Sequence, residues 1–407
     1  GLNAVMELPN LSMVFLVGVL ACSSWRGTRS AVLAAVLSFL AYNFFFIDPR
    51  FTLTGANAYG ATLINSGTLQ VGNASTTGVL NTGVITNNGT LIYNRSDLTN
   101  TLAAKISGTG ALVDQGSGTL TLTGANDYTG NTTLTAGKLS LGSASALGTG
   151  GTISFGGGTL QYSASNTSDY SSRFSTAANQ TYSLDTNGQS VTLGSALSSS
   201  GGTLTKLGTG TLTLAAANSY TGATSVNAGT LAVTNAAGLG TTAGNTTVAN
   251  GSTLDFQGVA VGNEAIILNG GSTLATSSGT SSLSGTVTMG AASTVNVGGT
   301  SLTLSGIVSG AYALTKSGSG TLVLAATNTY GSTVFSAGTL RLANNGALPD
   351  SSLTVAAGNT LELGSINSSD LNVTGPIWNT GSVVKNGNGI LEFAVANSYT
   401  GGTTISA

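Results

Sequence analysis

Three residue types carry most protein chemistry, and all are scarce here: the 407-residue chain has no histidine, one cysteine and 13 acidic residues. Without imidazole, Ser-His-Asp and Cys-His catalysis and histidine-ligated zinc are excluded. Cys22 has no second cysteine with which to form an intrachain disulfide or a multi-cysteine metal site. Paired carboxylates could still cleave glycans. Asp350, Glu362 and Asp370 fall within 21 residues, about one repeat length, so two could stack on one face; exposed solubilising charge is the plainer reading. The stretch GLGTTAG (238–244) imitates a dinucleotide loop but lacks the helix that must follow, and 60 glycines make such matches common. The calcium nonapeptide GGxGxDxUx does not occur. No catalytic, cofactor-binding or metal-ligating residue is assigned, and no cofactor is expected.

The elements that would position any such group follow from a recurring phrase. TLTGANAYGATLINSGTLQVG starts at Thr52, GTLTLTGANDYTGNTTLTAGKLSLG at Gly118, GTLTLAAANSYTGATSVNAGTLAV at Gly210, GTLVLAATNTYGSTVFSAGTLRLA at Gly320 and GILEFAVANSYTGGTTISA at Gly389. Their asparagines, Asn57, Asn126, Asn218, Asn328 and Asn397, are separated by 69, 92, 110 and 69 residues. These are about three, four, five and three multiples of roughly 23, the scale of one coil in a repeat solenoid. Weaker echoes such as NGSTLDFQG and GNTLELGS fill the intervals.

Within the phrases apolar residues alternate: Leu120 and Leu122, Leu139 and Leu141, Leu212 and Leu214, Leu340 and Leu342, Leu361 and Leu363. That two-residue period predicts half-buried strands. The positions between apolar residues hold Lys138, Arg341, Glu362, Asp255, Glu392, Gln70 and Gln161, which are expected to face water. Glycine before each strand and Asn-x-Tyr or Ala-Gly after it supply the turns. The Asn-Tyr positions fit turn and packing roles better than an aromatic binding strip. A unit of this kind buries its apolar face only by stacking on copies of itself. The expected fold is therefore all-β, a parallel β-helix (β-solenoid) of about 15 coils over residues 51–407. With 41% hydrophobic and 6% aromatic residues, its core should be thin and filled by small aliphatic side chains. A net charge of −2 from 11 basic and 13 acidic residues offers no stripe for nucleic acid.

Residues 1–50 are different. Uncharged runs over 8–25 and 31–47, joined by Arg26 and Arg29, predict a two-helix transmembrane hairpin meeting membrane lipid through 8–47. The basic turn would face the cytoplasm and residue 51 would emerge outside. A secretory signal, with the two arginines before an apolar 31–46, is the competing reading, though a small-x-small cleavage site is missing. RGT at 26–28 lies in the turn and carries no adhesive reading.

Two resemblances follow from this wording. NLSMVFLVGVLA and RGTRSAVLAAVLSFLAYNFFFIDPRFT, over about 8–53, resemble the membrane region of Kdp-type potassium-sensing histidine kinases. The resemblance implies a bacterial inner-membrane hairpin and not kinase activity, since the phosphoaccepting histidine is absent. The phrases from Thr52 onward resemble the autotransporter-associated β-strand repeat of bacterial passenger regions, which implies a right-handed helix exposed at the cell surface. The insert YSSRFSTAANQTYSLDTNGQSVTLGSAL (170–197) is similar to inter-repeat sequence in such proteins. Lys206, Lys316 and Lys385 each stand four residues before the last glycine preceding a strand, as in that family, and Asp114 takes the place in the second phrase. The join at residues 51 and 52 reads as a fusion, and the end at TTISA, with no translocator barrel after it, as a fragment of a longer protein.

Three functions are expected from this, in decreasing order. The first is a non-enzymatic, membrane-anchored envelope or surface stalk, extracytoplasmic, adhesive or self-associating, with a surface glycan or protein as ligand. The second is a glycan-cleaving β-helix enzyme. The third is the input region of a membrane sensor.

Overall fold

The computed structural model describes residues 50–344, 346–349, 353–355, 359–364, 371–373, 377–379, 382–386, 391–393 and 396–405. The hairpin expected over 8–47, Cys22, Asp350 and Asp370 lie outside them. The fold is an all-β parallel solenoid of right-handed type with about 15 turns. Among the described residues the single helical element is the 3-10 turn Ser171–Arg173, and no helix is long and apolar enough to cross a membrane. Two compact units divide the chain: the described residues up to 139 with 145–151, and 140–144 with those from 152 onward.

In the first unit the strands Arg50–Leu53, Thr68–Ser75, Thr90–Arg95, Ala111–Asp114 and Thr132–Leu134 stack in parallel register, Thr68 on Thr90 and Thr90 on Ala111. Ala56–Ile64, Val79–Asn87 and Lys105–Ser107 form a second face. The repeat wording that starts at Thr52 is thus solenoid from its first residues.

The second unit carries three long parallel ladders and a short parallel pair, Leu371–Val373 with Leu391–Phe393. One contains Thr203–Leu207, Thr224–Val226, Thr246–Val248 and Ile266–Leu268; a second contains Thr211–Leu214, Thr230–Val233, Thr253–Gln257 and Thr273–Ser278. The third contains Ser301–Leu304, Thr321–Leu324, Thr339–Leu342 and Thr360–Gly364. In-register partners lie between 18 residues apart, as for Thr321 and Thr339, and 24, as for Thr159 and Ser183. The coil of roughly 23 residues expected from the landmark asparagines falls within that range, as for Thr230 and Thr253.

Alternation does what the sequence implies at the leucines. Leu212, Leu231, Leu254, Leu274 and Val295 form one continuous buried column, each on its copy in the next coil. The insert rejoins the solenoid through the strand Thr181–Asp185 and brings an aromatic plug. Phe155 meets Phe174 and Tyr182 edge-on at centroid distances of 4.9 and 5.5 Å, and Phe174 stacks on Tyr182 at 6.1 Å.

Two of the residues expected to face water are corrected. Gln70 and Asp255 are only 5% exposed. Gln70 donates from Nε2 to Gly72 O at 2.9 Å, pinning its own turn. Asp255 accepts from Ser277 N at 2.8 Å and Ser277 Oγ at 2.6 Å in the next coil. Lys138, Gln161, Arg341 and Glu362 are half-exposed.

Coils this close leave no room at some corners. A β-carbon on Gly285 would lie 1.8 Å from Glu264 O of the coil before it, whereas one on Gly262 would meet nothing within 4 Å. Gly285→Ala is expected to cost about 1–3 kcal/mol in urea unfolding, with Gly262→Ala neutral. Equal midpoints for the two variants would show that corner stacking does not set the choice of glycine.

Candidate functional site

Polar groups that reach the core do so at two kinds of station. The first is the asparagine of the second, third and fourth Asn-x-Tyr phrases, which lies outside the strands and bridges coils. Asn126, Asn218 and Asn328 are all buried. Asn126 accepts from Ile106 N at 2.7 Å and donates to Ala146 O at 2.8 Å. Asn218 accepts from Leu197 N at 2.8 Å and donates to Gly238 O. Asn328 accepts from Val308 N at 2.8 Å and donates to Ala347 O at 2.7 Å. Each amide thus ties the coil before to the coil after, where an unmatched buried amide or carbonyl would cost about 1–3 kcal/mol. The tyrosine two residues on turns its hydroxyl to a buried threonine, Tyr128 to Thr132 at 2.8 Å and Tyr220 to Thr224 at 2.6 Å. Packing, not an aromatic strip, is the role of these pairs.

The second station follows the sequence Leu-x-Lys. Lys206 is fully buried, in register with Leu184 and Val226, so it occupies a place that aliphatic side chains fill in neighbouring coils. Its Nζ donates to Leu207 O at 2.9 Å, Gly208 O at 2.7 Å, Ala228 O at 3.0 Å and Thr186 Oγ1 at 2.9 Å. Lys316, also fully buried, donates to Ser317 O, Gly318 O and Ala337 O, each at 2.8 Å, and its Nζ lies 5.9 Å from the Phe335 ring centroid. Lys385 is 7% exposed. Burial pushes the Lys206 and Lys316 ammonium groups down to about 8.

Besides Asp255, Asp114 and Glu264 are buried carboxyls apart from these lysine corners. Asp114, 3% exposed, is raised to about 8 by burial, and its Oδ2 has no hydrogen-bond partner. Glu264, 4% exposed, accepts from Thr246 Oγ1 at 2.8 Å and is pushed up to about 7, with burial the larger cause. Nothing in local wording marked Glu264. Lys206 and Lys316 could have been placed from the alternation alone, because Leu204 and Leu314 stand two residues before them.

The outer faces carry hydroxyls. Thr159, Ser183, Thr205, Ser225 and Thr247 form one in-register column, continued after Ile267 by Thr288 and Ser309. A second column runs through Ser190, Thr211, Thr230, Thr253, Thr273 and Thr294. These side chains are half-exposed or exposed, and Thr159 Oγ1 lies 2.9 Å from Ser183 Oγ. At about 4.8 Å between rungs, they make a regular, nearly uncharged array.

Of the three carboxylates considered for glycan cleavage, the described residues include Glu362 alone. Glu362 pairs with Arg341 at 3.3 Å, and Asp350 and Asp370 lie outside the described residues. No group of three or more His, Cys, Asp or Glu residues that could hold a metal ion occurs among the described residues.

Comparison with known proteins agrees with the repeat. Residues 112–141, 204–233, 314–342 and 383–407 match the family described as passenger-associated-transport-repeat. Each match begins two residues before Asp114, Lys206, Lys316 or Lys385, so the inward polar station is part of the matched unit. Residues 1–64 match a family described as a domain of unknown function (DUF4118), as a fusion near residue 51 implies. The chain is 37% identical over 92 residues to the adhesin BmaC autotransporter of Brucella suis biovar 1 (strain 1330), a stretch covering 22% of this chain and 3% of that protein. No solved structure matches. The repeat region is an autotransporter-passenger-like β-solenoid.

The lysine stations have a measurable signature. An unfolded lysine titrates near 10.4, so above pH about 8 the unfolded chain holds more protons than the folded one and stability rises with pH. Comparing wild type with Lys206→Met cancels other titrations. The stability of wild type relative to the variant should increase from pH 8 to about 9.5; a pH-independent difference would show that the buried ammonium is not held down.

Proposed function

We propose that the repeat region is a non-enzymatic stalk displayed at the bacterial surface, adhesive through its hydroxyl columns. The supporting observation is the pairing of a passenger-type repeat with an in-register, nearly uncharged threonine and serine array. Hydroxyls at a fixed spacing along one ladder can exchange hydrogen bonds with a polyol chain or with the same array on another copy. The named adhesin among the relatives agrees with that reading. Membrane anchoring through residues 8–47, with the repeats outside the cytoplasm, completes the proposal.

The columns also explain what the low charge is for. Arrays of this kind have few charges to desolvate, so contact along them avoids the cost of stripping water from ions. With charged residues at 6% of the chain, polar contact must come from hydroxyl and amide groups. A carbohydrate surface is the ligand class that fits.

Purified full-length chain is expected to bind an immobilised glycan array or to self-associate in sedimentation velocity. Replacing Thr205, Ser225 and Thr247 together by alanine should weaken that binding at least tenfold without changing the unfolding free energy by more than about 1 kcal/mol. Absence of both glycan binding and self-association in wild type would leave a spacer role alone.

A further inference from the structure

The corner after an inward polar residue stacks its following glycine alike in three coils, and in two of them it encloses an ammonium group. The oxygens around Lys206 Nζ come from the next two residues, Leu207 and Gly208, and from Ala228 one coil on; those around Lys316 Nζ come from Ser317, Gly318 and Ala337. By sequence position the corresponding carbonyls at Asp114 are those of Gln115, Gly116 and Ala136.

The backbone frame of that corner stacks as the others do. A β-carbon on Gly137 would lie 2.3 Å from Gly116 O and 2.4 Å from Gly118 O. On Gly229 the distances are 2.6 Å to Gly208 O and 2.4 Å to Gly210 O, and on Gly338 they are 2.4 Å to Gly318 O and 2.7 Å to Gly320 O. Gly116 lacks the positive φ of Gly208 (75°) and Gly318 (76°), so the same stacking is reached by a different backbone route.

The side chain is where the coils diverge. Asp114 is in register with Tyr93 and Leu134, both buried, so its carboxyl shares their inward face. It brings more acceptor oxygen to a corner that, in the other coils, needs a donor. Its Oδ2 is buried and unpartnered, and burial is the cause of its raised pKa, with no neighbouring cation lowering it. A buried, orphaned carboxyl oxygen is satisfied by a proton or by a cation.

Size favours a metal ion. A carboxylate-bound Ca2+ lies about 2.4 Å beyond the oxygen, which places it about 6 Å from the Asp114 Cα with ordinary bond lengths. A lysine ammonium reaches about the same distance from its own Cα. We propose that Asp114 and the carbonyls of its corner bind a hard, oxygen-preferring cation, Ca2+ in the first instance, in the place that the lysine ammonium fills in the coils of Lys206 and Lys316. The ion neutralises the buried carboxylate and ties the coil of Asp114 to that of Leu134 in the first unit. Neither the adhesive reading nor any ligand of the outer columns is needed for it.

The test uses the full chain at pH 8.5, first stripped with chelator. Terbium is the probe, excited through tyrosine, because Tyr93 is the in-register neighbour of Asp114. Wild type should show saturable sensitised emission that Ca2+ displaces, and its Tm should rise on adding Ca2+. Asp114→Asn should weaken terbium binding at least tenfold and lose the Ca2+ response of Tm. Asp114→Lys, which supplies its own ammonium, should lose the emission yet unfold in chelator at a temperature equal to or above that of metal-free wild type. If this variant fails to fold, Asp114→Asn decides alone. Equal emission and Tm response in wild type and Asp114→Asn would overturn the assignment. So would a wild-type chain indifferent to Ca2+, Mg2+, Na+ and K+, which would leave Asp114 as a neutral, protonated acid.

Discussion

In-register parallel stacking governs this protein, because each coil places every residue directly over its counterpart, about 4.8 Å away. A side chain therefore cannot choose its neighbours independently; it inherits them from the coil before. Columns such as Leu212, Leu231, Leu254 and Leu274 are stable because like packs on like. The same rule makes one misplaced polar group costly, since the sites above and below it are apolar. The buried asparagines and lysines survive inside where a turn lends them backbone partners.

That condition explains why the bridging asparagines lie at corners and why Lys206 and Lys316, near the ends of their strands, turn their ammonium groups to the corner that follows. At a corner the chain exposes carbonyls and N–H groups that no ladder uses, and a coil lies both before and after. Asn218 uses one amide to satisfy a donor behind it and an acceptor ahead of it. Lys206 gathers carbonyls from its own coil and from the following one. Each solves a local backbone deficit and fixes the register of three consecutive coils, which leucine columns alone leave free to slip.

Much of this was legible in the residues, and the reason lies in periodicity. Two-residue alternation located Leu120 and Leu122 or Leu340 and Leu342 because a strand's two faces see different solvents. The fold class followed because one such unit cannot bury its own face. Misreadings arose where the outer face was covered: Gln70 and Asp255 have the outward phase, yet both are buried by the hydrogen bonds of neighbouring turns. Lys206 shows the reverse, an inward phase masked by a residue type usually assigned to water. Its partners lie one residue, two residues and one coil away, so only the coil length joins them. Glu264 depended on Thr246 in the preceding coil and left no local trace.

The outer surface obeys the same stacking rule with the opposite result. Repetition that forces leucine onto leucine inside forces threonine onto threonine outside, so Thr211, Thr230, Thr253, Thr273 and Thr294 become a linear array without any one of them being a site. An enzyme needs a few groups held at unlike angles around one reacting atom. A solenoid of near-identical rungs repeats one angle many times instead, and it gains contact strength through the number of equal, weak contacts that engage together. Such a surface is the basis of the proposed adhesive role, in which a longer aligned stretch would release an extended, repetitive partner more slowly.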